Sequence, residues 1–177
     1  MKHAPFLRTR VAVGASLIVL GLGLATAAPA TATGGPGEVK DHNVVQTSHL
    51  TEQAALKAAR AALAAAERAG QHVSVAVVDR NGNTIVVLRG DGSGPHTYES
   101  SQRKAYTAAS FNAPTSVLVG RLQQTPTLAD IPGTLFLAGG LPIHHHGAPI
   151  AGIGVAGAPS GLSDEEYAAA GIAAISH

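Results

Sequence analysis

Two β-rich runs, Val73 to Val78 and Thr84 to Leu88, flank Asp79-Arg80-Asn81-Gly82. This narrows the fold more than any other feature of the chain. Asn-Gly between such runs is the leading signature of a tight hairpin, because both residues accept positive φ. A cover for the hairpin precedes it. Thr51 can cap a helix with Glu52 in its first turn, Ala-rich sequence runs to Ala69, and Gly70 supplies a stop. Leu56, Ala59, Leu63 and Ala66 are expected on one face, with Lys57, Arg60, Glu67 and Arg68 elsewhere. An amphipathic helix of this kind packs on a flat surface.

Beyond the hairpin, Arg89 to Pro95 reads as a Gly-rich loop and Tyr98 to Phe111 as a second helix, ended by Asn112-Ala113-Pro114. Thr115 or Ser116 can cap a third helix through about Gln124. A Pro-punctuated stretch reaches Pro132-Gly133 and is followed by the short apolar segment Thr134 to Ala138. His144 to Pro149 is expected to turn the chain into a strand over Ile150 to Ala156. Ser163-Asp164-Glu165-Glu166 reads as a capping box, opening a last helix that reaches about Ile175. Helix, hairpin, two helices, hairpin-like pair and helix make an α+β domain: a small, mostly antiparallel sheet flanked by helices.

The amino terminus has the pattern of an export leader. Lys2, Arg8 and Arg10 precede an uncharged apolar run from Val11 to Ala28, and Ala30-Thr31-Ala32 offers an A-x-A cleavage site. The organisation expected is a signal peptide over 1–32, a flexible neck over 33–48 and one domain over 49–177. The alternative is a retained membrane anchor, disfavoured by Gly14, Gly21 and Gly23 within the run and by the Pro29 to Gly37 stretch after it. Without an Arg-Arg pair, the general export route is favoured over the twin-arginine route. Cleavage leaves nine Lys+Arg against eleven Asp+Glu, a formal charge of −2 in place of +1. That balance argues against nucleic acid as a partner. No later segment is apolar enough to span a membrane, so the mature protein is expected to be secreted or extracytoplasmic. With no Cys anywhere, disulfides, thiolate haem ligation, iron–sulfur clusters and thiol catalysis are excluded.

No dedicated catalytic constellation is visible. There is no G-x-S-x-G elbow, phosphate loop or dinucleotide fingerprint, and Asp164, Glu165 and Glu166 are explained by helix-start electrostatics. Arg103 and Lys104 could meet an anionic group or form a solvated helix face. Tyr106, on the same helix, is a pocket wall, a phenolate ligand or a packed core residue. His144, His145 and His146 could recruit Zn²⁺, Ni²⁺ or Cu²⁺ or offer a haem ligand; otherwise they form a polar hairpin tip. Neighbouring imidazoles cannot all point the same way, so two ligands, or ligands shared between subunits, are easier than three.

"SVAVVDRNGNTIVVLRGDG", "RKAYTAASFNAPTS", "IPGTLFLAGGLPI" and "GAPIAGIGVAGAPSGLSDEEYAAAGIAAI" together resemble the GlcG/HbpS family of haem-binding proteins, from about Leu50 to the C-terminus. The leader points to the secreted branch. The resemblance implies a profilin-like α+β architecture, haem and iron binding, homo-oligomers, and haem handling or redox sensing beside a membrane sensor kinase. Slow peroxide-driven haem degradation is also implied. The same resemblance leaves two alternatives: a module that modulates a sensor kinase, and a carrier of another small ligand.

The resemblance further implies Thr134 as the haem contact, with Leu135, Phe136 and Leu137 lining an apolar slot; the alternative is that Thr134 only begins a strand. Arg103 and Lys104 then become candidates for the propionates. A pair of carboxylates three apart on a helix can hold iron in secreted relatives. Here the corresponding residues are Glu99 and Gln102, and the amide should weaken such a site. His49 is a further metal candidate by resemblance; alone it reads as a surface residue.

Overall fold

The structure, a computed structural model, describes Gly35 and residues 37–176. The leader expected over 1–32 therefore lies outside the described residues. The chain divides into two compact units, Met1–Val44 and Val45–His177. In the described part of the first, Asp41–Asn43 forms one 3-10 turn, closed by the Val44 N–H on the Asp41 carbonyl at 3.0 Å. No helix among the described residues is long and apolar enough to cross a membrane.

The second unit is the α+β domain. Helix α1 (Glu52–Arg68) starts where expected, because the Thr51 hydroxyl accepts the Ala54 N–H at 3.2 Å. Its buried stripe is Ala55, Ala58, Ala59, Ala62 and Ala66; Leu56 and Leu63, expected at the centre of the face, lie half-buried at its flanks. Small side chains win the centre because α1 lies so close to its neighbours.

Four strands follow the chain: β1 (Ser74–Asp79), β2 (Thr84–Arg89), β3 (Gly140–His145) and β4 (Ala148–Ala156). They form one antiparallel sheet in the order β2-β1-β4-β3. Val75 and Val77 on β1 and Ile153 and Val155 on β4 face α1 and α4 (Gly161–Ala173). The alternate residues face α2 (Pro95–Phe111). There, Gly152 and Gly154 leave no room for a side chain: a Cβ would run into the carbonyls of Ala105 and Ser101. Helix α2 thus rests almost directly on the β4 backbone, with Ala76, Val78, Ala105 and Ala109 between them.

The two hairpins exchange their expected geometries. Asn81 does not adopt positive φ; only Gly82 does, at 87°. Asp79 opens that loop into a wider turn, accepting the N–H groups of Asn81 (2.8 Å) and Asn83 (2.9 Å) and the Asn83 amide (3.0 Å). The tight two-residue turn is instead His146-Gly147, with φ of 48° and 77°. Consequently His144 and His145 belong to β3, not to a turn over 144–149.

Other boundaries move for local reasons. Pro95 suits the first turn of a helix, so α2 begins three residues before Tyr98. The third helix breaks after α3 (Thr115–Val119) into 3-10 turns at Gly120–Gln123 and Pro126–Asp130. Thr134 to Ala138 has no regular structure, and the strand expected near it begins at Gly140. The cap of α4 is Ser160, which accepts the Ser163 N–H at 3.1 Å; the box expected at Ser163 sits one turn too late.

Candidate functional site

Residues Ile131 to Ala138 lie along α2, and two side chains one turn apart hold them there. Arg103 donates through Nη2 to the Thr134 carbonyl at 2.6 Å. The Thr107 hydroxyl donates to the Arg103 carbonyl and accepts the Leu135 N–H, both at 2.7 Å. Spacing of i and i+4 puts both on one helix face. Thr134 closes a turn on itself, its hydroxyl donating to the Ile131 carbonyl at 2.8 Å. It is buried at 2 % exposure. Phe136 meets Phe111 edge to face, centroids 5.3 Å apart. Leu137 is half exposed and borders a hollow of about 250 Å³ with His96, Ser100 and Pro159.

Tyr106 is half-buried, its ring packed over Gly82 at the tip of the first hairpin and beside Gly133. It therefore joins the hairpin to the Thr134 turn.

Lys104 and Arg103 are adjacent yet have opposite surroundings. Arg103 keeps 41 % of its side chain exposed and lies 3.8 Å from Glu99. Lys104 is buried, at 2 % exposure, rather than on a solvated face, and with Asp164 it lines the floor of the hollow beside Leu137. Its Nζ donates to Asp164 Oδ2 at 2.8 Å and to the Val155 carbonyl at 2.9 Å. Asp164 also accepts the Ala158 N–H at 3.0 Å. Burial pushes the Asp164 carboxyl above its ordinary value, against the hydrogen bond and charge of Lys104 that pull it down. Asp164 thus stands in the first turn of α4, as expected, and is in addition the core partner of Lys104. Glu165 likewise has partners, the Ser116 hydroxyl at 2.7 Å and N–H at 3.3 Å. Only Glu166 of the three is exposed as expected.

Glu99 is exposed, whereas Gln102 is engaged on both sides of its amide. It accepts the Thr84 hydroxyl at 3.2 Å and donates to the Tyr98 carbonyl at 3.0 Å. His49 bonds Thr47 at 3.0 Å and its charge acts on Asp79. Burial pushes Asp79 up, but hydrogen bonds from Asn83 and Asn81, together with His49, hold it below its ordinary value of 3.8. Of the three imidazoles, His144 pairs with Asn112 Oδ1 at 2.7 Å, and His145 and His146 stand side by side. The structure therefore brings Arg103, Tyr106, Thr134 and Phe136 together. Lys104 is turned inward from them, and His144 to His146 lie on the second hairpin, where His144 reaches Asn112, the residue after Phe111. No group of three or more His, Asp or Glu that could hold a metal occurs among the described residues.

The sequence offered no role for Thr107, and placed Asp164 only at a helix start and Asn112 only in a turn. Thr107 was legible as the i+4 partner of Arg103. Nothing local pairs Lys104 with a residue sixty positions away.

The model of the haem degrading protein HbpS-like family matches residues 50–173. Among solved structures, a double mutant of HbpS from Streptomyces reticuli is 64 % identical, with a TM-score of 0.79. The match covers 81 % of this chain and 99 % of that one. The PduOC:heme complex is 25 % identical at a TM-score of 0.67, over 73 % of this chain and 96 % of that one. An uncharacterized 15.0 kDa protein of Citrobacter freundii, from a dhaT-dhaS intergenic region, is 32 % identical over 63 % of this chain and 82 % of its own length. The two HbpS and PduOC structures share the antiparallel sheet and flanking helices described above, and the chain belongs to the HbpS-like family.

Proposed function

We propose that this protein binds haem where Ile131 to Ala138 lies on α2, and that it handles haem and iron outside the cytoplasm. The observation that carries the reading is the joining, in one clamped segment, of three things haem requires: an oxygen donor, an apolar wall and a cation. Thr134 spends its hydroxyl proton on the Ile131 carbonyl, which leaves lone pairs on Oγ for a metal. Phe111, Phe136 and the half-exposed Leu137 supply the wall, and the half-exposed Arg103 the cation for a propionate.

The donor set fits haem in kind. The adjoining hollow of about 250 Å³ is smaller than the roughly 300–1,000 Å³ usual for small-molecule sites. With Thr134 buried, the segment must lift from α2 to expose Oγ, and the bonds that would break are those of Arg103 and Thr107. A neutral hydroxyl is a weak ligand, so binding should be modest and exchangeable. Bound haem iron would supply the redox chemistry for slow, peroxide-driven degradation, while the protein orients the group and shields one face. An iron ion near α2 would find the exposed Glu99, paired only loosely with Arg103 at 3.8 Å, because the Gln102 amide is already engaged. Family membership and the neighbouring haem complex support this reading; the leader pattern of the amino-terminal sequence is the support for export, and an oligomer or a sensor-kinase partner rests on the family resemblance alone.

Haemin titration followed by Soret absorbance tests it. A saturable shift is expected, weakened at least tenfold by Thr134→Ala and kept by Thr134→Ser, which restores the hydroxyl. Absence of a saturable shift would remove haem and favour a carrier of another ligand. An unchanged affinity in the alanine variant would remove Thr134.

A further inference from the structure

The second hairpin carries a feature that the haem reading does not use. Consecutive strand residues send their side chains to opposite faces, so His145 and His146 should diverge. They do not, because His146 is not extended: as the first residue of the tight turn it takes φ 48°, and Gly147 follows at 77°. That left-handed step turns the His146 ring back beside His145, leaving the centroids 4.1 Å apart at a 55° tilt. Both side chains are exposed. His144, by contrast, has its Nε2 committed to Asn112 Oδ1 at 2.7 Å, where Asn112 caps α2 in a left-handed conformation of its own.

We propose that His145 and His146 form a two-imidazole site for a borderline divalent transition ion of the Zn²⁺ class, with His144 outside it. Zn–N bonds of about 2.0–2.1 Å put a metal about 3.2 Å from each ring centroid. Two imidazoles on one ion then have centroids about 4.5 Å apart at a right angle and about 5.2 Å at a tetrahedral angle. The observed 4.1 Å is within about 1 Å of both, a gap that rotation of two exposed rings closes. The turn has already fixed the backbone that brings the rings together, so little ordering remains for the metal to impose. No third His, Asp or Glu completes a protein cage among the described residues, so water or a bound small molecule fills the remaining positions. His145 and the adjacent His144 both border a hollow of about 360 Å³ walled mainly by Leu50, Ile143, Ile150, Ile172 and Ile175. Those positions therefore lie at the rim of a pocket. Imidazole ligands select Cu²⁺, Ni²⁺ and Zn²⁺ over Mn²⁺ or Mg²⁺.

The test is Zn²⁺ titration of the full chain by calorimetry, with His ring shifts followed by NMR. His145→Gln removes one ligand. His146→Asn removes the other while keeping a residue that tolerates positive φ, so the turn survives. Each should weaken the site at least tenfold, whereas His144→Gln should change it less than twofold. Mg²⁺ should compete with none of them. The idea is overturned if His145→Gln and His146→Asn bind as the parent does, or if His144→Gln loses as much as either. Circular dichroism of the three variants should match the parent, and zinc gives no Soret signal, so the outcome is independent of haem.

Discussion

Replacing Asp164 by Asn tests what holds α2, β4 and α4 together. With its oxygen still accepting the Ala158 N–H, the amide removes the charge and turns an NH2 donor toward Lys104 where a carboxylate oxygen had accepted. Lys104 Nζ, 2.8 Å from the carboxylate and with only 2 % of its side chain exposed, loses its counterion while almost fully buried. Removing one partner of a buried pair costs about 3–5 kcal/mol, a large share of the roughly 5–15 kcal/mol by which a domain is stable. The reverse change, Lys104→Met, leaves a buried carboxylate that can protonate. Burial already holds Asp164 above its ordinary value, and losing Lys104 raises it further. A raised carboxyl stabilises the fold below the unfolded value of about 3.8 and loses that contribution as pH rises through the folded value. The Lys104→Met deficit should therefore shrink between pH 7 and pH 4, whereas that of Asp164→Asn should not. Lys104→Met combined with Asp164→Leu removes both charges and should return to within about 1 kcal/mol of the parent. Urea unfolding followed by circular dichroism at both pH values measures all four proteins. A cost below about 1 kcal/mol for Asp164→Asn, or a double variant as unstable as the singles, would refute the reasoning.

Two further outcomes follow from the turns. Ser160→Ala should destabilise the domain by about 1 kcal/mol through loss of the α4 cap, and Ser163→Ala by only a few tenths; urea midpoints that rank them oppositely would return the cap to Ser163. Asp79 is held below 3.8 by its turn, so its contribution is present above that value and is lost as pH falls through its lower folded value. Asp79→Asn should accordingly flatten the acid limb of the stability curve below about pH 4, and an unaltered limb would mean that the Asp79 turn is not what titrates.

Much of the fold was legible because it is written in local terms. Period-two β-rich runs, an Ala-rich helix with Thr51 as cap, and turn residues at the right intervals led to an antiparallel α+β domain, and the four segments led to the family. The errors are also local in origin. Asn81-Gly82 looks like a tight turn until the Asp79 carboxylate offers its neighbours better partners. Ser163 looks like a cap until Ser160, one turn earlier, takes the Ser163 N–H. Of the candidate site, Arg103 and Tyr106 could be named from the helix that carries them and Thr134 and Phe136 from the family resemblance, although not the bonds that clamp Thr134 shut.

The sequence by itself determined the order of most strands and helices, since propensity, spacing and capping act within a few residues, whereas the residues at the centre of the α1 face were decided by what packs on it. Tertiary structure alone decided which polar groups are free. Lys104 and Arg103 are adjacent and equally charged, yet α4 brings Asp164 against one and leaves the other half in water. His144 and His145 are likewise adjacent, and the cap of α2 takes the first while the turn aligns the second with His146. Whether a side chain serves the core or remains available to a ligand depends on what packs over it, and that is set by partners tens of residues away.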